Sequence, residues 1–261
     1  MPPIIRKRFG QHFLISRYII ECLVDEINPQ PDQSIIEIGP GQGALTLPIL
    51  KKTGKMDVIE IDRDLIPLLR QHCAGHGDLI IHEANALKFD IKSLIQKNKT
   101  ARIIGNLPYN ISTPLIFHLL ESADAIEDMH FMLQKEVVER MAAKPNDDAY
   151  GRLSIMVQYH CEVSDLFDVP PSSFEPPPRV DSSVVRLTPH STLPFIANDY
   201  HQFLIIVREA FSHRRKTLRN ALKPFVSDAI WAEIGINPQQ RPEELSVQDF
   251  VVISNAIEKN G

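Results

Sequence analysis

The chain has 261 residues and a formal net charge of −5, with 43% hydrophobic and 23% charged residues. This composition is typical of a soluble globular protein, and the length allows one large domain and a small one. No run of about 18 apolar residues predicts a membrane span, and the N-terminal residues lack the pattern of a secretory signal. Cys22, Cys73 and Cys161 lie far apart without CxxC spacing. We therefore expect a cytoplasmic monomer with reduced thiols and no metal site.

Basic residues concentrate in two segments that contain no acidic residue. Residues 1–20 include Arg6, Lys7, Arg8 and Arg17, and residues 211–223 include Arg214, Arg215, Lys216, Arg219 and Lys223. An acidic protein with such segments can still bind phosphate backbones locally. The alternative for either segment alone is a solvated helix face.

Between Ser34 and about Leu133, short β-branched runs alternate with stretches of helical spacing. The strands are predicted in SIIEIG, DVIEID, DLIIHEAN, RIIGNLPY and MHFML, and helices lie between them in ALTLPILKKTG and RDLIPLLRQHC. This alternation predicts βαβ units and a parallel sheet that is buried on both faces. Ligands of such sheets bind at the carboxyl ends of the strands.

The second half of the chain changes character twice. Five prolines around 170–178 predict a stiff extended loop, since proline is excluded from helix interiors and central strands. VDSSVVRL then predicts a strand, and helical periodicity follows Pro189. Ser246 and Asp249 are typical of a helix N-cap with an acid in the first turn. We predict an α/β domain over 1–189 and a small all-helical domain over 190–261.

A glycine-rich loop follows the first strand of this alternation. Gly39, Gly41 and Gly43 permit a tight turn and let a ligand approach the backbone. Glu60, at the end of the next strand, is placed to accept both hydroxyls of a ribose. The loop predicts an adenosine-type cofactor and leaves open a nicotinamide cofactor, S-adenosylmethionine or a simple turn.

Two side chains favour S-adenosylmethionine among these possibilities. Glu37 places a carboxylate where a sulfonium and an amino group would lie, and where a pyrophosphate would be repelled. Its alternative role is to accept from a neighbouring backbone amide. Asn85 ends the third strand of the alternation and is placed to meet the edge of an adenine.

The segment Asn106-Leu107-Pro108-Tyr109 ends the fourth of these strands. The side-chain carbonyl of Asn106 and the main-chain carbonyl of Leu107, held rigid by Pro108, can accept both N–H bonds of an adenine amino group. Such acceptors aim the nitrogen lone pair at a methyl donor and stabilise the positive charge that develops. Tyr109 offers a ring face for the purine. The alternative is a strand-end turn with a buried tyrosine.

Phe174 is a second aromatic candidate, in the proline-rich loop. There it could close on the other face of a base that has been removed from its stack. The alternative is that Phe174 anchors the loop in the core.

Taken together, these strings resemble the bacterial KsgA-type rRNA adenine dimethyltransferases. The resemblance runs through RKRFGQHFL, EIGPGQGALT, VIEID, GNLPYNIST, FEPPPRVDSSVVRL and FSHRRKTLRNAL. It implies a Rossmann-like catalytic domain, S-adenosylmethionine as cofactor, and dimethylation of two adjacent adenines in the 3′-terminal hairpin loop of 16S rRNA. The substrate would be an immature small ribosomal subunit.

The same resemblance implies roles for individual residues. His12 and Leu14 would cover the cofactor, and Gly39, Glu60, Asn85 and Asn106 would line it. Tyr109 and Phe174 would hold the target base, and the 214–219 stretch would grip rRNA phosphates. Two positions depart from the family pattern: residue 12 is often asparagine, and residue 85 is usually aspartate. A neutral amide at 85 predicts a weaker bond to the adenine amine.

Three other functions remain open at this point. A resistance-type 23S rRNA adenine methylase shares the order of motifs, although RKRFGQHFL and FSHRRKTLRNAL favour the small-subunit family. A non-catalytic assembly factor of the small subunit would not need an intact 106–109 segment. A nicotinamide oxidoreductase would leave that segment and the second basic segment unexplained.

Overall fold

The computed structural model describes residues 11–97, 99–212 and 216–258. The chain divides into two compact units. The first comprises Met1–Val138 and Ser164–Pro189, and the second comprises Glu139–Val163 and His190–Gly261. No helix in the described ranges is both long enough and apolar enough to cross a bilayer.

Nine strands are present in the described residues. In chain order they are β1 (Phe13–Leu14), β2 (Ile35–Ile38), β3 (Lys55–Glu60), β4 (Asp78–Glu83), β5 (Ala101–Asn106), β6 (Ile126–Gln134), β7 (Cys161–Val169), β8 (Phe174–Glu175) and β9 (Ser182–Pro189). Seven of them form one sheet in the order β4-β3-β2-β5-β6-β9-β7, while β1 and β8 form a separate antiparallel pair. The strands from β4 to β6 in that order are all parallel, and β9 is antiparallel to β6. The predicted parallel sheet is confirmed.

Helices α1 to α4 lie within the first unit, and α5 continues from it into the second. Their bounds are α1 (Arg17–Ile27), α2 (Thr46–Thr53), α3 (Ile66–Cys73), α4 (Ser112–Leu120) and α5 (Lys135–Ala142). Helix α1, which the sequence pattern did not predict, is capped at its start by Ser16, whose hydroxyl accepts from the N–H of Ile19. Leu23 and Ile27 follow Ile19 at intervals of four, so one face of the helix is apolar and buried.

One hydrophobic core covers a face of the sheet in the first unit. It joins α1, α2 and α3 to the side chains of β2 and β3 that point to that face, such as Ile35 and Val58. The alternate residues of the same strands, Ile36 on β2 and Ile59 on β3, are also buried. The sheet is therefore covered on both faces, as parallel sheets require.

The chain reverses direction across the sheet between β4 and β5. Strands β2, β3 and β4 follow one another outward, and β5 then returns to the opposite side of β2. The helices that follow β2 and β5 therefore diverge, which opens a crevice at the carboxyl ends of these two strands. The glycine loop follows β2, and the 106–109 segment ends β5, so both predicted motifs meet at this crevice. The structure has the predicted Rossmann-like α/β fold.

The second unit consists mainly of helices in its described part, and it also includes the first three residues of β7, 161–163. It contains α6 (Arg152–His160), α7 (Tyr200–Ala210), α8 (Leu218–Ala221), α9 (Asp228–Ile234) and α10 (Val247–Glu258). The predicted cap of α10 is confirmed, since the hydroxyl of Ser246 accepts from the N–H of Asp249, and Asp249 accepts in return.

Residues 139–163 differ from the predicted domain boundaries. They were expected within 1–189, whereas the structure groups them with the residues from His190 onward in the second compact unit. The phenol of Tyr150 donates to the carbonyl of Leu245 at 2.8 Å, and the ring of Tyr159 lies 4.6 Å from that of Phe203. Contacts between residues so distant in sequence bring α6 into the helical unit.

Candidate active site

A cavity of about 600 Å³ lies at the crevice beside β2 and β5. Its wall brings together the predicted cofactor-binding residues His12, Leu14, Glu37, Gly39, Gly41, Gly43, Glu60, Asn85 and Asn106, together with Leu107, Pro108 and Tyr109. A cavity of this size is within the range of small-molecule and cofactor sites. The glycine loop and the 106–109 segment therefore share one opening.

The glycine loop forms the floor of this cavity in a conformation that favours glycine. Gly39, Gly41 and Gly43 have φ of +67°, +57° and +85°, a region that side chains with a Cβ rarely adopt. A Cβ at Gly43 would also lie 2.9 Å from Cδ1 of Leu69 on α3. At Gly39 nothing lies within 4 Å of that position, so the backbone there faces open space.

Glu60 holds the glycine loop and the end of β3 together. One of its carboxylate oxygens accepts from the N–H of Gly41 at 3.2 Å, and the other accepts from the N–H of Asp62 at 2.8 Å. Burial raises the pKa of Glu60, and these backbone hydrogen bonds act in the opposite direction. The carboxylate has further acceptor capacity for a donor such as a ribose hydroxyl.

Glu37 is almost completely buried, yet it lines the cavity. Its carboxylate accepts from the hydroxyl of Thr46 at 2.6 Å. Burial raises the pKa of Glu37 to about 7, although the hydrogen bond from Thr46 lowers it. Its partner is thus a side-chain hydroxyl and not the backbone amide of the alternative reading.

Asn85 caps the short helical turn that follows β4. Its side-chain oxygen accepts from the N–H of Leu87 at 3.0 Å, and both residues line the cavity. This bond fixes the rotation of the amide at the cavity wall. The oxygen has a second lone pair that can accept from an adenine amine.

The 106–109 segment is anchored from within the protein while its polar groups line the cavity. The N–H of Leu107 donates to the carbonyl of Met132, and the side chain of Leu107 is 1% exposed. Pro108, with φ set by its ring, then leads to the half-buried ring of Tyr109. Burial raises the pKa of the Tyr109 phenol, which contacts the hydroxyl of Ser182 at 2.7 Å.

The chain segment from Gln11 to Leu14 crosses the cavity from one wall to the other. The side chain of Gln11 donates to the carboxylate of Asp62 at 2.9 Å. The carbonyl of His12 accepts from the amide of Asn106 at 2.8 Å, and the imidazole of His12 stacks on Tyr109 with a centroid distance of 5.6 Å. This strap, residues 11–14, therefore contacts both motifs.

Phe174 is a predicted site residue that the structure does not bring to the cavity. Its side chain is 3% exposed and belongs to the hydrophobic core with Leu14, its partner in the β1–β8 pair. This position corresponds to the alternative in which Phe174 anchors the loop. The structure contradicts the expectation that Phe174 faces the base, because its ring packs into the core beside β1.

The predicted RNA-binding residues are only partly described. Arg6, Lys7, Arg8, Arg214 and Arg215 lie outside the described residues. Lys216 and Arg219 are exposed, and Arg219 forms an ion pair with Asp228 at 3.1 Å.

Three residues that contact the site were not predicted from the sequence. The hydroxyl of Thr46 donates to Glu37, and the hydroxyl of Ser182 contacts that of Tyr109. Asp62 donates its N–H to Glu60, and its carboxylate accepts from the strap. For Asp62 there was a local signal, since it follows Glu60 by two residues in VIEID. Ser182 is distant in sequence from Tyr109, and only the order of the strands brings them together. Within the described ranges, no cluster of His, Cys, Asp and Glu has the arrangement of a metal site.

A family model and several known relatives match nearly the whole chain. The family model described as ribosomal RNA adenine dimethylase matches residues 4–259. The ribosomal RNA small subunit methyltransferase A of Chromohalobacter salexigens is 55% identical over 256 residues, which cover 97% of this chain and 91% of the relative. The protein of the same name from Vibrio vulnificus is 52% identical over 255 residues, covering 98% and 95%.

Two solved structures are similar over nearly the whole chain. A dimethyladenosine transferase from Plasmodium falciparum has a TM-score of 0.79 at 27% identity, covering 93% of this chain and 96% of that one. The 23S rRNA methyltransferase ErmE has a TM-score of 0.73 at 20% identity, covering 94% and 99%. The likeness to ErmE shows a shared fold alone.

Proposed function

The chain belongs to the ribosomal RNA adenine dimethylase family, and from this premise we propose its substrate and the roles of its residues. It transfers methyl groups from S-adenosylmethionine to the exocyclic nitrogens of adenines in ribosomal RNA. The specific targets that we propose are two adjacent adenines in the 3′-terminal hairpin loop of 16S rRNA, each dimethylated within an immature small subunit. The names of the relatives support a small-subunit substrate.

One observation carries this proposal. The segment from Asn106 to Tyr109 and the glycine loop with Glu37 and Glu60 line the same cavity. A polar strand end that faces a nucleoside-type pocket can accept from an amino group beside the methyl donor. The same segment packed wholly into the core could not.

The residues in the cavity fit S-adenosylmethionine. The cofactor supplies a methyl group carried on a positively charged sulfur. Glu60 would hold the ribose, and Asn85 the edge of the adenine. Glu37 offers a carboxylate to the cationic part, while the glycine loop provides a wall that Cβ atoms do not crowd. His12 and Leu14 would cover the cofactor from the strap.

The chemistry of the target depends on two carbonyl oxygens. An adenine amine is a poor nucleophile because its lone pair is delocalised into the ring. If the oxygen of the Asn106 side chain and the carbonyl of Leu107 accept its two N–H bonds, the lone pair is released towards the methyl donor. The positive charge that develops on nitrogen is then stabilised by oxygens already in place. A solvent water suffices to take the proton from the methylated nitrogen.

Basic residues outside the cavity would bind the ribosomal particle. The residues that we propose to contact rRNA phosphates are Arg6, Lys7, Arg8, Arg214, Arg215, Lys216 and Arg219. The helical domain after residue 189 would carry those from Arg214 onward. Arg219 can exchange its exposed carboxylate partner Asp228 for a phosphate at little cost, because exposed ion pairs contribute about 0 to 1 kcal/mol. We expect the protein to act as a monomer.

The test is methyl transfer from labelled cofactor to three substrates that lack the modification. These are immature small subunits, large subunits, and free 16S rRNA. We expect label in the small subunits, recovered as N6,N6-dimethyladenosine in the 3′-terminal fragment, and little label in free RNA. Label in large subunits alone would instead indicate a 23S-type methylase. Binding to small subunits without transfer would indicate an assembly factor.

A further inference from the structure

The amide of Asn106 has two chemically opposite ends, and only one of them can assist the reaction. The oxygen accepts hydrogen bonds, whereas the NH₂ group donates them. An adenine amino group also presents N–H donors, so an amide turned the wrong way would repel it. Rotation of the amide by a half turn would thus remove the acceptor without changing the shape of the site.

The strap decides which end of the Asn106 amide is available. The NH₂ group of Asn106 donates to the carbonyl of His12 at 2.8 Å. Because this carbonyl can only accept, it binds the NH₂ end and leaves the oxygen for another donor. The carbonyl is itself held in place, since the imidazole of His12 contacts the carbonyl of Pro176 at 2.7 Å and Gln11 donates to Asp62.

Tyr109 is held by two contacts of a different kind. Its hydroxyl lies 2.7 Å from that of Ser182, which is fully buried at the start of β9. Ser182 is paired in register with Gln134 of β6, so its position is set by the sheet. The imidazole of His12 stacks on the phenol ring at an interplanar angle of 27°. Ser182 thus holds the hydroxyl of Tyr109, and His12 holds the face of its ring.

We propose that His12 and Ser182 form a positioning clamp, which sets the amide of Asn106 and the ring of Tyr109 in reactive orientation before the base enters. The inference rests on the proposed function and adds a residue that does not line the cavity. Ser182 acts through Tyr109 alone, so it is a positioning residue for the transfer. Groups held in advance lose little freedom when the substrate binds, and this lowers the barrier to the reaction.

The neighbouring serine provides a matched control. Ser183 is as deeply buried as Ser182, but its hydroxyl donates to Asp165 at 2.6 Å and to the carbonyl of Phe167 at 3.0 Å. Ser182→Ala and Ser183→Ala therefore each remove a buried hydroxyl and its hydrogen bonding from the same strand. Only the first removes a partner of Tyr109.

The experiment measures single-turnover methyl transfer to small subunits at saturating cofactor, with cofactor affinity determined separately by calorimetry. We expect Ser182→Ala to slow the transfer about five- to tenfold, the loss that corresponds to one hydrogen bond. Its cofactor affinity should be unchanged. Ser183→Ala should transfer at a rate within about twofold of the native protein, even if its melting temperature falls.

A double-mutant cycle tests whether Ser182 acts through Tyr109. Tyr109→Phe keeps the ring and removes the hydroxyl, so it should slow the transfer as much as Ser182→Ala does. The double variant should be no slower than either single one, because both remove the same hydrogen bond. Should Ser182→Ala fail to fold, an unimpaired Tyr109→Phe would still overturn this half of the clamp.

The effect of His12 on the rate of transfer can be separated from its effect on cofactor binding by measuring His12→Ala at saturating cofactor. If His12 only covers the cofactor, excess cofactor restores the single-turnover rate of His12→Ala, which would refute its role in the clamp. We expect the rate to stay low at saturation.

A native protein that methylates no RNA overturns the proposed function and the clamp with it. An active native protein with an unaffected Ser182→Ala variant overturns the clamp alone.

Discussion

Because Glu37 is buried, its ionisation is expected to lower the free energy of unfolding at neutral pH. The free carboxyl has a pKa of 4.5, and burial raises it to about 7. The folded protein therefore binds this proton more tightly than the unfolded chain does. Folding stability from this group is highest at low pH and falls as the pH rises through the interval between 4.5 and about 7. The full cost, on the order of 3 kcal/mol, is reached above that interval.

Glu37→Gln removes the titration and keeps an oxygen that can accept from Thr46. Relative to the variant, the native protein should lose on the order of 3 kcal/mol of unfolding free energy between about pH 4 and pH 8. Urea-induced unfolding of both proteins across this range measures the difference. A difference that stays constant with pH would refute the assignment of a raised pKa to Glu37.

The same titration predicts how the cofactor binds. The sulfonium of S-adenosylmethionine favours an ionised Glu37, so its affinity should fall about tenfold from pH 8 to pH 6. S-adenosylhomocysteine, whose sulfur is neutral, serves as the matched ligand and should show a weaker dependence on pH. Calorimetry with Glu37→Gln should give weaker binding of S-adenosylmethionine and lose this difference between the two ligands. Equal pH dependence of both ligands in the native protein would contradict a role for Glu37 at the sulfonium.

Two further substitutions test the cofactor wall. Asn85→Asp should tighten the binding of S-adenosylmethionine and S-adenosylhomocysteine in calorimetry. A carboxylate makes a charge-assisted hydrogen bond to the adenine amine and can still accept from the N–H of Leu87. Unchanged or weaker binding would refute a contact between residue 85 and the adenine. Gly43→Ala should lower the melting temperature more than Gly54→Ala, since both positions have positive φ but only Gly43 has Leu69 within 3 Å of a new Cβ. Equal losses would show that backbone strain alone decides the cost.

The position of the cavity could be predicted because it depends on local patterns. Alternating strands and helices specify a parallel sheet, and the carboxyl ends of its strands meet at one edge. Gly39 to Gly43 and Asn106 to Tyr109 each follow a strand directly, so their meeting at that edge needs no knowledge of distant contacts. The capped start of α10 at Ser246 was predictable for the same reason.

The remaining features depend on contacts between distant parts of the chain. Phe174 lies in a loop without periodicity, and its inward orientation results from pairing with Leu14. Ser182 reaches Tyr109 because β9 lies beside β6, which no local pattern specifies. Residues 139–163 join the helical unit through Tyr150 and Tyr159, whose partners lie far along the chain.

The role of Asn106 in activating the target amine is tested by comparing the native protein with Asn106→Ala on immature small subunits. Loss of the amide removes the oxygen that accepts from the target amine, while the glycine loop, Glu37 and Glu60 remain to bind the cofactor. We predict that the variant folds and binds S-adenosylmethionine but produces almost no N6,N6-dimethyladenosine. Dimethylation by Asn106→Ala at the native rate would contradict the assignment of this strand end as the reactive centre.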